Sequence, residues 1–564
     1  MKKRLGHSLV SVVLAAVMAA GLMACGGAAG TAESTQTAGE TEGGSAAAES
    51  PEAAESGTAS ADGAIVNIGA TSALSTINPL NIDVTFMAQY AQSLMFLPLA
   101  ALDADANWEE MLAESITTDN NTDFTVTLRD VKWSDGEQVT ADDVIWTMLR
   151  ISSPEVANPS FDFSSFKGFD ENGQSPSGAE EIEGIEKIDD RTVVFHAAYP
   201  LSLVSFINNI CTWIPILPSH VLAEIPAEEL STSSWFNQPT VVDGPYFLDD
   251  YDAAHYISYH ANKDYSLGAP SIDRLNIRIV GASELLAGLK SGEIDVVLPN
   301  IGIIPDSDLA SAEALENVNV SYAAPVTNQM TFINTRKLPD ARVRQAIVYA
   351  IDRETLVSGL LSGHGEVGEG FVSSASPYYD DSIEGFSYDP EKAKALLEEA
   401  GWDSSAVLEY YVWSGDDAMV KGSQIVQQYL GAVGIQVNLH TVDLDSLMAV
   451  AGTDDADLFT VQYTVTPNDY YIDAQYLVDT PDLSWTGGYF SEEVDAALAL
   501  TQTATDDGKI RAAYRTLQEK MIEDVPMFSM YFISNAGAVS SRISGCEPTL
   551  YGALNHVESW TVIK

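Results

Sequence analysis

The strongest constraint on this chain is a stretch that cannot fold. From Gly26 to Asp62 there is no Lys, Arg, aromatic residue, Leu, Ile or Val, only Gly, Ala, Ser, Thr, Glu and Gln with single Pro and Asp residues. Such a segment has no apolar surface to bury against its conformational entropy and serves as a tether. Treated as a Gly/Ser-rich coil, it reaches roughly 30–35 Å. Before it, Lys2, Lys3 and Arg4 precede an apolar run from Leu9 to Ala24, a little short for a membrane span and ending in small residues, the pattern of an export signal. The folded body therefore begins near Gly63 and runs to Lys564.

Composition narrows what that body does. The 564-residue chain carries 27 Lys and Arg against 81 Asp and Glu, a formal charge of −54. Such a surface repels phosphate backbones and anionic headgroups, so no nucleic-acid partner is expected, and membrane contact is expected only through the N-terminus. Three Cys and eight His without a CxxC or HExxH pattern outline neither a disulfide framework nor a metal site, and no cofactor is expected. Cys211 and Cys546 are expected as buried free thiols, with a pairing between them left open.

Periodicity predicts mixed α and β structure. Ala64 to Gly69 reads as a strand, Phe124, Val126 and Leu128 alternate on another, and Asp295 to Leu298, Ile435 to Leu439 and Asp457 to Val461 read as further strands. Thr140 followed by Ala141-Asp142-Asp143-Val144 predicts a capped helix through Met148. Asp340 is expected to cap one helix from Ala341 to Leu361, and Asp389 another with Pro390 at its start and Gly401 at its stop. Gly363-His364-Gly365-Glu366-Val367-Gly368 matches a phosphate-loop pattern, but a helix precedes it and Glu366 opposes an anion, so a flexible loop is expected.

Two resemblances sharpen this. Leu22-Met23-Ala24-Cys25-Gly26 resembles a lipobox, which implies that Cys25 is lipidated and anchors the mature chain to the outer face of the cytoplasmic membrane; Met23 departs from the usual small residue. Ser75 to Leu80, Thr127 to Gly136 with Ala141 to Val144, Gly244-Pro245-Tyr246, Ser291 to Asp295, Phe332 to Thr335 with Val343 to Ile347, and Tyr388 to Trp402 resemble, in order, segments of the peptide/nickel group (family 5) of solute-binding proteins of ABC transporters. The resemblance implies an α/β, two-lobed, type II periplasmic-binding-protein-like fold that closes on a solute, with an extra subdomain inserted in lobe I. Mapped onto this chain, residues 63–97, 240–325 and 526–564 would form lobe I, 98–239 the insert and 326–525 lobe II. The crossovers would fall near Ala323 to Val326 and Asp524 to Met527.

The function so implied is solute capture, a peptide first, and delivery to the permease of an ABC importer by a monomer. An oligosaccharide or metal chelate in the same fold is the alternative, and an exported hydrolase the alternative of another class; no GxSxG or comparable catalytic pattern is present. In peptide-binding relatives an aspartate in the loop after a cleft strand pairs with the peptide ammonium. Counting from Tyr463, that position holds Thr466, and Asp469 lies three residues on, as a ligand candidate or as a turn residue. Tyr463, Tyr471, Trp413 and Trp485 are candidate aromatic walls, and Asn78 and Asn328 candidate polar contacts, each with a core or turn role as its alternative.

Overall fold

The computed structural model describes residues 63–563 apart from 84, 157, 475–476 and 478–484. The export segment, Cys25 and the tether lie outside the described residues. Val66 and Ile68 are fully buried on one side of the strand Ile65–Ala70, which pairs in parallel with Arg274–Ile279 and Val296–Val297. On the other side Gly69 lies under the helix Ala282–Ser291, so closely that a β-carbon there would meet Leu285 at 2.8 Å and Ile294 at 3.0 Å and force those side chains to shift. Further strands complete a sheet in the order Val318–Tyr322, Ala536–Ser540, Val296–Val297, Ile65–Ala70, Arg274–Ile279, Tyr256–Ala261 and Tyr246–Asp252.

A second sheet runs Gly365–Glu366, Met527–Ile533, Thr327–Ile333, Leu458–Thr464, Val407–Trp413 and Gln436–Val442. Every residue of Thr327–Ile333 is buried, as expected of a central strand covered on both faces. The chain passes from the first sheet to the second between Tyr322 and Thr327. It returns at Ser534-Asn535, not at Asp524 to Met527, and the strand expected in lobe I belongs to the second sheet. Met527–Ile533 is buried along nearly all its length and pairs antiparallel with Thr327–Ile333, while Pro526 only follows the end of the helix Asp507–Asp524. The two connections touch: Ala323 N donates to Asn535 O at 2.9 Å, and Asn535 Nδ2 to Thr327 Oγ1 at 3.0 Å.

Two other expectations change. The helix after Asp340 is two helices, Ala341–Tyr349 and Arg353–Leu360, because Asp352 caps the second by accepting from Thr355 N at 3.0 Å, and its side chain competes with a continuous ladder. The expected flexible loop at Gly363 to Gly368 contains the short strand Gly365–Glu366, which pairs with Ile533 and Phe532 at the sheet edge. By contrast Pro390–Ala400 is capped by Asp389 and ends at Gly401 in the left-handed conformation (φ 68°), which a residue without a β-carbon adopts freely.

A third sheet, antiparallel, orders Ala113–Thr117, Asp123–Leu128, Thr192–His196 and Ile185–Asp189. Beside it, Asp143 ties the first turn of the helix Ala141–Ile151 to the segments around Trp133 and Ser219. One carboxylate oxygen accepts from Thr140 N at 2.9 Å and from the Trp133 indole at 3.3 Å, and the other from Ser219 N at 2.9 Å and Ser219 Oγ at 2.6 Å. A buried acid satisfied this fully has a structural role. Cys211 and Cys546 are free thiols, and burial pushes the Cys546 thiol up to about 12, where it is inert.

Candidate ligand site between the lobes

The strand Leu458–Thr464 ends where Val465 N donates to Val326 O at 2.9 Å beside the first connection. Pro467 has no N–H to extend the ladder, and Asp469 N turns back to Thr466 O at 3.1 Å. The loop then enters the short helix Tyr471–Ala474. This turn faces the first lobe directly. Asp469 Oδ2 accepts from Ser205 Oγ at 2.6 Å, while Oδ1 accepts from Tyr471 N at 3.0 Å and the Tyr514 hydroxyl at 3.4 Å. Asn468 Oδ1 accepts from Asn208 Nδ2 at 3.1 Å, and Asn468 Nδ2 donates to Ala106 O at 2.6 Å. The Tyr551 hydroxyl donates to Val465 O at 2.8 Å. Four of these contacts, to Ser205, Asn208, Ala106 and Tyr551, bridge residues more than 80 positions apart and hold the lobes together along one polar seam.

The electrostatics of the seam are acidic. Burial raises the Asp469 carboxyl above its ordinary range, although it keeps three hydrogen bonds. Asp473, one helical turn on, is 6% exposed and is pushed up to about 8, first by burial and then by the charge of Asp469, with the Tyr463 hydroxyl opposing. At neutral pH Asp473 is therefore mostly a protonated acid. Aromatic rings border it. Phe86 lies 6.0 Å from Trp213 and 5.9 Å from Tyr551, and Tyr378 stacks on Tyr514 at 4.4 Å.

The candidates from sequence divide accordingly. Asp469, Tyr463 and Tyr471 lie on the seam, and Thr466 bonds the Tyr551 side chain. Trp413 ends its strand half-buried, its ring packed over Gly415 so closely that a β-carbon there would touch it. Trp485 is core: it meets Phe332 and Phe459 edge-on at 5.2 and 5.5 Å. Asn78 and Asn328 are both engaged with neighbouring backbone and side chains. Asn78 caps Pro79–Asn81 by accepting from Leu80 N at 3.0 Å and donates to Leu230 O at 3.1 Å; Asn328, fully buried, donates to Gly370 O at 3.0 Å and accepts from Ser529 Oγ at 2.7 Å. Ser205, Asn208, Asn468, Asp473, Tyr514 and Tyr551 were not singled out. Only Asn468 and Asp473 had a local signal, their closeness to Asp469.

Two α/β lobes joined by paired connections and meeting at a polar, aromatic-bordered seam define a two-lobed periplasmic-binding-protein fold, the architecture of a solute receptor. The chain belongs to the bacterial extracellular solute-binding proteins, family 5, whose model matches residues 107–482. It is 26% identical over 497 residues to the oligopeptide-binding protein AppA of Bacillus subtilis, covering 84% of this chain and 87% of that one. It is 25% identical over 415 residues to the nickel-binding periplasmic protein of Escherichia coli, covering 68% of this chain and 74% of that one. In fold it is similar to the substrate-binding protein CtaP of Listeria monocytogenes, with a TM-score of 0.75 at 24% identity over 89% of this chain and all of that one.

Proposed function

We propose that this protein is the extracytoplasmic receptor of an ABC importer and that it captures a peptide between its lobes, with no bond made or broken in the ligand. The observation that carries this reading is the seam itself: the buried Asp469 carboxylate position, bordered by rings and by hydrogen-bonding groups from both lobes, suits a ligand whose cationic amine would favour its charged form and whose amide N–H groups find acceptors. The relatives named for oligopeptide and peptide binding support it. Lobe I, the insert and lobe II are read as the functional units, the protein as a monomer, and Cys25 as its lipid anchor.

A thermal-shift screen of refolded residues 63–564 tests the ligand class with free peptides, N-acetylated peptides, oligosaccharides and nickel chelates. A ligand at 100 times its Kd adds about 2.7 kcal/mol, which moves the midpoint of a body this size by about 1–2 °C. Free peptides are expected to shift it and their N-acetylated forms to shift it less. Asp469→Asn should weaken the best free peptide by roughly 30-fold or more, the cost of truncating one side of a desolvated charge pair, and leave N-acetylated peptides within a few-fold. A shift by sugars or chelates alone overturns the peptide reading and keeps the fold. For the anchor, Cys25→Ser should release the protein from membranes into the medium, and retention on cells would defeat the assignment.

A further inference from the structure

Asn208 is held in an unusual piece of backbone. The helix Leu203–Phe206 continues into a π-helical turn, Ile207–Cys211, in which Thr212 N donates to Ile207 O at 3.1 Å across five residues. Such a turn inserts one extra residue into a helix and re-aims the side chains around it; it persists where that displacement serves a site. Here Ile207, Ile210 and Cys211 remain in the core while Asn208 projects to the other lobe.

The orientation of its amide follows from the network. Ala106 offers a carbonyl oxygen, which only accepts, so the group 2.6 Å from it on Asn468 is Nδ2. Asn468 therefore presents Oδ1 to Asn208, and Asn208 answers with Nδ2 at 3.1 Å. That leaves Asn208 Oδ1 as a fixed acceptor. It is enclosed by protein and has no partner among the described residues. Leaving a buried carbonyl oxygen unmatched costs about 1–3 kcal/mol, and turning the amide over would only set two oxygens against each other at Asn468. Two neighbouring hydroxyls are engaged elsewhere: the Ser205 hydroxyl donates to Asp469, and Thr212 Oγ1 donates to the Asn208 main-chain oxygen at 2.8 Å.

We infer that Asn208 Oδ1 is a ligand contact of the inserted subdomain, accepting a hydrogen bond from a main-chain N–H of a peptide held in the seam. The inference rests on the peptide reading and deepens it. Asp469 addresses the ligand's charge, whereas Asn208 addresses an amide that every residue type supplies, so it adds affinity without sequence preference. The same side chain, through Nδ2, joins the lobes, and lobe closure and ligand contact share one residue.

The test is a cycle between protein and ligand. The probe is an alanine-rich pentapeptide taken from the free-peptide screen, synthesised with each peptide nitrogen methylated in turn, and titrated calorimetrically into wild type, Asn208→Leu and Asn208→Gln. Methylation at one nitrogen should weaken binding to wild type about 10-fold and to Asn208→Leu less than about 2-fold, because the partner of that N–H is already gone. Asn208→Gln keeps both an amide acceptor and the donor needed by Asn468 and should retain more of the sensitivity than Asn208→Leu, which separates a ligand contact from a packing role. Should Asn208→Leu fail to fold, Asn208→Ala takes its place. Equal methylation penalties in wild type and Asn208→Leu at every nitrogen would overturn the inference and leave the peptide reading intact. No binding of any free peptide by wild type would overturn the peptide reading, and the inference with it.

Discussion

Arg353→Ala should lower the stability of the protein by about 3–5 kcal/mol, read as a shift of the denaturation midpoint with little change in slope. Arg353 is 3% exposed and closes a hub of the second lobe. One guanidinium nitrogen donates to Gly368 O at 2.8 Å and Ser529 O at 3.0 Å; another donates to Phe386 O at 3.0 Å and to the Glu369 carboxylate at 2.8 Å. Glu369 in turn accepts from Phe386 N at 2.9 Å. Truncation strands three carbonyls and a carboxylate in a space that water does not fill well. The fork geometry also makes lysine a poor substitute, since an ammonium cannot serve four acceptors spread over one plane. Arg353→Met with Glu369→Met should cost less than the sum of the two single changes, because the double variant leaves no uncompensated charge.

How much of this was legible in the sequence depends on how far apart the causes lie. The Asp389 cap and Gly401 stop are four-residue signals at each end of one helix, and the structure holds both. The break at Asp352 is equally local, but it competes with an apolar pattern that runs through Ile351, and periodicity alone favoured one long helix. The second crossover is not local at all. Pro526 looks like a boundary, yet Met527–Ile533 is assigned to its sheet by pairing with Thr327–Ile333, some 200 residues earlier, and no residue in 524–535 declares that partner. Asp469 was reachable as an acid near a cleft strand. Its partners Ser205 and Tyr514, 264 and 45 positions away, were not. The hydrogen bonds of Asn78 and Asn328 were hidden for another reason: an asparagine that satisfies nearby backbone is indistinguishable in sequence from one presented to a ligand.

A large pH effect should come from Asp473, in the same direction as that of Asp243, whose carboxyl burial also raises. With its carboxyl at about 8 in the folded protein and near its ordinary 3.8 when unfolded, the folded state holds a proton that the unfolded state releases across this window. Below about pH 4 both states are protonated and burial carries no penalty. As pH rises from 4 to 8 the unfolded chain is favoured progressively, and above 8 the penalty is constant. Asp469, raised in the same direction by the same enclosure, steepens the decline. Wild type should therefore lose stability on the order of a few kcal/mol between pH 4 and 8, and Asp473→Asn, which keeps the size and a polar contact for Tyr463 but cannot ionise, should make that slope shallower, leaving the share of Asp243 and Asp469, and be more stable than wild type at pH 8. Chemical denaturation at a series of pH values measures both. Equal slopes for the two proteins would show that Asp473 is not the proton-holding group. The same arithmetic links stability to ligand capture: a cationic group in the seam favours the ionised pair, so a bound free peptide should reduce the decline in wild type and change little in Asp473→Asn.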